Sequence, residues 1–310
     1  MLTTLTIKKT KLLAILPLII LIVSCSGKKN KDNEVSVDRE EINKDMKVLK
    51  SDLQETKKIF YSLPSPLETA MLLKNADAEY DESLLNPVDN ASNYTTNKKM
   101  ALNLGIYTTD LSFASLFDQT QTTIEYMGAC KEVADRLGLL EVFGDSTIKR
   151  LENNINNRDV IMDVISETLM SSSSYLKENN RAPLASIVLI GGWIEGLYIS
   201  TQLVKDISVT SFENNQLVKR IADQKFSMDI VIKLIEKYSY NKDVASLLVT
   251  MKEIKTIYDK VEIKSTKVEP VKNKGSNITT LKSDSKITLT PEVFTELKKK
   301  VKTIRKNFVL

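Results

Sequence analysis

The chain has 310 residues, 44 of them Lys or Arg and 40 Asp or Glu, for a formal net charge of +4. Hydrophobic residues at 42% and charged residues at 27% exclude a wholly disordered chain, and 9 Gly with 7 Pro are too few for a collagen-like chain or a loop-rich sandwich. The absence of histidine excludes Ser-His-Asp and Cys-His catalysis, HExxH zinc chemistry and His-ligated haem, while 2 cysteines exclude a disulfide scaffold. At the N-terminus, Lys8, Lys9 and Lys11 precede an apolar run from Leu12 to Val23, the layout of a secretory signal. Twelve helical residues rise about 18 Å, too short for a hydrocarbon core of ~30 Å, and Pro17 interrupts the run.

Ile22-Val23-Ser24-Cys25 closes that run. The tetrad resembles a bacterial lipobox, with an aliphatic residue three places before the cysteine and a small one immediately before it. The resemblance implies cleavage by signal peptidase II after residues 1–24 and a diacylglyceryl group on the Cys25 thiol, with no other cofactor. The two or three acyl chains of such a lipoprotein meet the need for more than one chain in stable anchoring, each buried CH₂ contributing ~0.8 kcal/mol. Ser26, in place of the Asp that marks inner-membrane retention, points by the same resemblance to the outer membrane. The other thiol, Cys130, follows Tyr126-Met127-Gly128-Ala129 and reads as a small buried apolar residue.

Residues 25–38 are polar and read as a tether. Residues 39–263 read as an all-helical domain. Ile42, Met46, Leu49, Leu53, Thr56, Phe60 and Leu63 alternate steps of four and three, predicting a long helix from Asp38 to Pro64, and Pro66 opens a shorter one to Ala76. A loop through Asp81, Asn86, Pro87 and Asp89 leads to a two-part helical region, Ser92 to Leu137, which Gly138 ends. Helices follow over about 147–155 and 158–176, then an almost continuously apolar stretch from Ala182 to Lys205, then 212–238 and 242–261. Residues 264–290, rich in Lys, Ser, Thr and Asn, read as a linker, and 291–310 as a basic amphipathic helix with Phe294, Leu297, Val301, Ile304 and Phe308 on its seam. The expected fold class is all-α: a multi-helix bundle or helical-hairpin array with a central apolar helix and a separate C-terminal amphipathic helix. Charge is uneven, net +8 from residue 264 onward against −7 over 25–263. The seam of the terminal helix is expected to dock on the acidic body.

Candidate chemistry centres on acids in apolar settings. Glu195 is the single charge from Leu184 to Tyr198, and a buried carboxyl must be protonated, paired or bound to a cation. Asp110 lies between Ile106, Leu111 and Phe113, with Asp118 and Glu125 following at about helical spacing. Were the four to converge, they would form an oxygen-ligand site for Ca²⁺ or Mg²⁺; otherwise each is expected to meet Arg158, Arg181, a Lys or a Tyr hydroxyl. Tyr107, Trp193 and Tyr198 are candidates to line a pocket, although Tyr107, Phe113, Phe117 and Tyr126 have core spacing. Gly192 and Gly196, one turn apart, suit a close helix approach. Gly191 and Gly196 share the spacing of P-loop glycines, but Leu197-Tyr198 stands where Lys and Ser/Thr would grip phosphate. The Asn153–Asp159 cluster reads as a helix junction.

Phe60-Tyr61-Ser62-Leu63-Pro64-Ser65-Pro66, Leu102–Tyr107, Phe117–Gln121, Asn153–Asp159 and Gly191–Tyr198 are similar to stretches of an uncharacterised all-helical lipoprotein family of Bacteroidota. That resemblance implies an envelope location and an all-α body, and carries no catalytic assignment. Two functions are therefore expected in turn. The first is a lipid-anchored, non-enzymatic binding or scaffolding module for an envelope protein or polymer, with no nucleic-acid partner. The second is a small-ligand or metal-binding protein, or a carboxylate-dependent hydrolase, using Glu195 with Asp110 or Asp118.

Overall fold

A computed structural model describes residues 79–205, 212, 215–265, 269–272, 279–282 and 285–310. The signal, Cys25, the tether and the helices expected over 38–64 and 66–76 lie outside the described residues.

Two short 3₁₀ helices, Glu82–Leu84 and Val88–Asn93, fill what reads as a loop, the first capped by the Asp81 carboxylate on Ser83 N–H. Helix α1, Asn97–Leu116, starts where Thr96 Oγ1 accepts from Lys99 N–H. Its chain turns at Asp118 (φ 56°) into α2, Thr120–Arg136, which ends before Gly138 at φ 70°, a left-handed position that favours glycine. Helix α3, Asp145–Glu152, is followed by α4, Arg158–Glu178, capped by Asn157 on Val160 N–H. Asn154 meanwhile donates to Arg150 O, so the asparagine cluster is a helix junction, as expected. Then come α5, Ala182–Leu203, α6, Gln216–Glu236, α7, Lys242–Tyr258, and α8, Pro291–Val309. Asn215, Asn241 and Thr290 cap the last three.

The protein is all-α, and two central helices organise it. Helices α1 and α5 pack along their length and are buried on nearly every side, because α2, α4, α6, α7 and α8 surround them. This is why α5 shows no polar face. Among the described residues it is the one helix long and apolar enough to cross a membrane, and 72% of its apolar window is buried inside the bundle.

The approach of α1 to α5 depends on glycine. A Cβ on Gly105 would lie 2.0 Å from Val188 O, and one on Gly191 2.0 Å from Leu102 O. Thr109 Oγ1 bridges the pair, donating to Gly105 O and Gly192 O. The expected pair of small residues was Gly192 and Gly196. Gly196 has ordinary space around it, its added Cβ meeting only Thr109 Cγ2 at 3.9 Å, so the intimate contact sits one turn earlier.

Helix α8 docks through Phe294, Leu297, Val301, Ile304 and Phe308, the seam read from sequence. The segment before it differs from expectation. Strand β1, Glu262–Ser265, pairs antiparallel with β4, Ser285–Thr288, and β2, Glu269–Lys272, with β3, Thr279–Lys282, giving two nested two-stranded ladders where composition reads as linker. Four-residue strands leave too little alternation to register in a sequence pattern. The β1–β4 ladder is held to the body, with Ile287 resting on the core beside buried Leu289.

Candidate functional site

Asp110 projects from α1, Glu195 from α5 and Arg305 from α8, and the three meet where those helices cross the 79–94 segment. Arg305 grips Glu195 in a fork, Nε donating to Oε2 at 3.0 Å and Nη2 to Oε1 at 3.0 Å. Nη2 also donates to Leu84 O at 3.1 Å, and the guanidinium lies 4.9 Å from the centre of the Tyr198 ring. Glu195 is fully buried and the Arg305 side chain is 11% exposed.

Asp110 is also fully buried, and its carboxyl interacts directly with that of Glu195. Its Oδ2 accepts from Asn86 N–H at 3.1 Å, whereas Oδ1 meets no N–H donor. Burial, and then the neighbouring Glu195 charge, push Asp110 well above the ordinary carboxylate value. For Arg305, burial works against the charged form, and the Glu195 carboxylate outweighs it, holding the guanidinium above its usual value.

Asn86 is the hub of the surrounding network. Its Nδ2 donates to Tyr94 Oη and Asn103 Oδ1, its Oδ1 accepts from Asn90 Nδ2, and its carbonyl accepts from Tyr126 Oη. Asn103 Nδ2 donates to Phe308 O at 2.9 Å, Tyr94 Oη to Val309 O at 3.4 Å and Lys99 Nζ to Leu310 O at 3.1 Å. The last carbonyls of α8, which have no intrahelical donor, are thus satisfied by side chains from α1 and the segment before it.

Of the four acids singled out from sequence, the structure brings together Asp110 and Glu195 alone. Asp118 is exposed on the turn after α1, because that helix stops at Leu116 and the helical spacing does not continue. Glu125 lies on the outer face of α2, accepting from Gln121 Nε2. Among the described residues, no group of three or more His, Cys, Asp or Glu is placed to hold a metal ion. The partner of Glu195 is neither Arg158 nor Arg181. Arg181 Nη1 donates to Leu137 O, and Arg158 faces Asp159.

The expected pocket lining is core instead. Tyr107 donates to Pro87 O, Trp193 is buried, and Tyr198 lies under Arg305. None of them borders either of the two described cavities, a void of about 20 Å³ beside Cys130 and a shallow groove on α4 flanked by Glu141, Glu167 and Glu178. Cys130 is buried as expected, and burial pushes its thiol up to about 12. At neutral pH its alkylation is expected to proceed only as fast as the bundle opens, which peptide mass analysis after timed maleimide treatment would measure.

Sequence reasoning missed Asn86, Asn103 and Tyr94, whose polar side chains gain meaning only through contacts far along the chain. Arg305 left a fainter signal. It is the one arginine among the terminal-helix lysines and flanks the seam next to Ile304, and a planar fork suits a buried carboxylate better than an ammonium does. No protein-family model matches the chain, and no curated protein or solved structure shows significant similarity to it.

Proposed function

We propose that this chain is a lipid-anchored cell-envelope protein whose helical body is a non-enzymatic binding or scaffolding module for another envelope component. The observation that carries the reading is Cys25, set directly after Ile22-Val23-Ser24 at the end of a basic, then apolar N-terminal run. A polar stretch over 25–38 separates that cysteine from the domain, as a tether would. The site chemistry is consistent with a non-enzymatic role. A carboxylate-dependent hydrolase or metal binder needs Glu195 free to meet substrate or ion, and the Arg305 guanidinium already engages both of its oxygens.

A Cys25→Ala variant is expected to lose incorporation of labelled fatty acid and to leave the membrane pellet after a carbonate wash. Retention of the variant in that pellet would overturn the anchor. Crosslinking in intact cells followed by solubilisation should recover a stoichiometric envelope partner. Repeated recovery of the protein alone would overturn the scaffolding role.

A further inference from the structure

We propose that Asp110 keeps its proton and donates it from Oδ1 to the Glu195 carboxylate, so that Asp110, Glu195 and Arg305 form a proton-held latch fastening the C-terminal helix to the bundle. The hydrogen-bond inventory leads there. Every contact of the guanidinium with a carboxyl goes to Glu195, which marks Glu195 as the ionised partner. Asp110 has one donor, Asn86 N–H, on Oδ2, and a fully buried Oδ1 with none. An ionised Asp110 would leave that oxygen unsatisfied and would put two fully buried negative charges against one positive. One proton on Oδ1 cures both faults, giving the atom a bond to Glu195 and the cluster a net charge of zero.

The groups facing the pair from every packed element agree with this assignment. From α5 come Glu195 and Tyr198, from α8 Arg305, from α2 Tyr126 and Cys130, from the segment before α1 Tyr80 and Tyr94, and from α1 itself Tyr107. Arg305 is the one cation among them. The Tyr107 and Tyr126 hydroxyls donate to Pro87 O and Asn86 O, and so give Asp110 no proton.

The link to α8 runs through Asn86. The residue whose N–H meets Asp110 also holds Tyr94 and Asn103, and these two bind the carbonyls of Val309 and Phe308. Loss of the proton would therefore disturb the Arg305 fork and the last turn of α8 together. Asp110 binds its proton more tightly folded than unfolded, so the latch holds in acid for as long as Glu195, whose value burial also raises, stays ionised. It weakens as pH rises toward the raised value.

The test uses the purified full chain. Infrared spectra at neutral pH should show the carbonyl band of a buried, protonated carboxylic acid that vanishes in Asp110→Asn, and this band can be titrated in the unaltered protein. Hydrogen exchange should show the opening of residues 301–310 becoming more favourable with rising pH, by up to tenfold per unit. In Asp110→Asn, whose amide keeps a donor and an acceptor in place, that rise with pH should shrink to what Glu195, itself raised by burial, contributes. A neutral-pH spectrum without the band would overturn the proposal. So would the same pH dependence of α8 opening in both proteins. Were the asparagine variant not to fold, a band in the unaltered protein that titrates together with α8 opening would support the latch, and one that titrates apart from it would overturn it.

Discussion

Gly191→Ala is expected to destabilise the fold by about 3 kcal/mol, and Gly105→Ala by a similar amount, as read from denaturant midpoints. Alanine is the better helix former by ~1 kcal/mol, so propensity alone predicts the opposite sign. Space decides it. Each new methyl would sit 2.0 Å from a backbone carbonyl oxygen of the facing helix, and backbone cannot swing aside as the end of a side chain can. The helices must part by more than an ångström, loosening the most extensive contact in the bundle and stretching the Thr109 bridge to Gly192 O. Two further substitutions separate this mechanism from any general effect of adding a methyl. Gly196→Ala, with its nearest neighbour at 3.9 Å, and Gly128→Ala, with none within 4 Å, should gain part of the propensity term and leave the fold intact. The double change at Gly105 and Gly191 should cost less than the sum of its parts, since helices already separated for one methyl have room for the second.

The same contact shows how far a sequence carries. Periodic apolar spacing marks the described α-helices that keep one face wet to within a few residues, because burial of the other face leaves a 3.6-residue imprint. The α5 helix is legible by the opposite sign, a nearly unbroken apolar run, whereas α1, buried almost as fully, carries Asn103, Thr108, Asp110 and Ser112 within its buried faces. Which residue faces which is a matter of register between elements, and spacing within one element holds no information about it. That is why Gly192 and Gly196 read as the contact while Gly105, Gly191 and Gly192 make it. Asp110 and Glu195 are recognisable as acids in need of company. Their meeting, and the identity of the cation 110 residues beyond Glu195, depend on how α8 lies across α5. Asp118 and Glu125 mislead for a related reason: a turn at Phe117–Gln119 rotates the second helix, so even spacing along the chain no longer means a shared face. The ladders over 262–288 escape notice because backbone hydrogen bonds hold them, and a backbone writes no pattern into composition.

Arg305→Met is expected to cost about 3 kcal/mol at neutral pH, since removing one partner of a buried ion pair leaves the other charge without compensation. Methionine fills much of the arginine's volume, so the loss reads charge and hydrogen bonding more than packing. Glu195 stays sealed from water beside Asp110, and three donor contacts vanish with the contact to Leu84 O. The variant has a remedy that the unaltered protein does not need: Glu195 can take up a proton of its own. Burial already raises its folded-state proton affinity, which climbs further without the guanidinium, and a group shifted in that direction gives stability in acid that is lost as pH rises. Arg305→Met should therefore recover part of its deficit on acidification, whereas an exposed pair such as Lys260–Glu296, its side chains 48% and 46% accessible, should matter little at any pH. Glu195→Gln has a different remedy, because Asp110 can release its proton and become the anion that Arg305 requires. That variant should be damaged less than Arg305→Met, and adding Asp110→Asn to it should restore the full penalty, since no carboxylate then remains beside the guanidinium. Equal losses from Arg305→Met, Glu195→Gln and the Asp110→Asn/Glu195→Gln pair, each independent of pH, would mean that the three side chains do not share charge and proton as a unit.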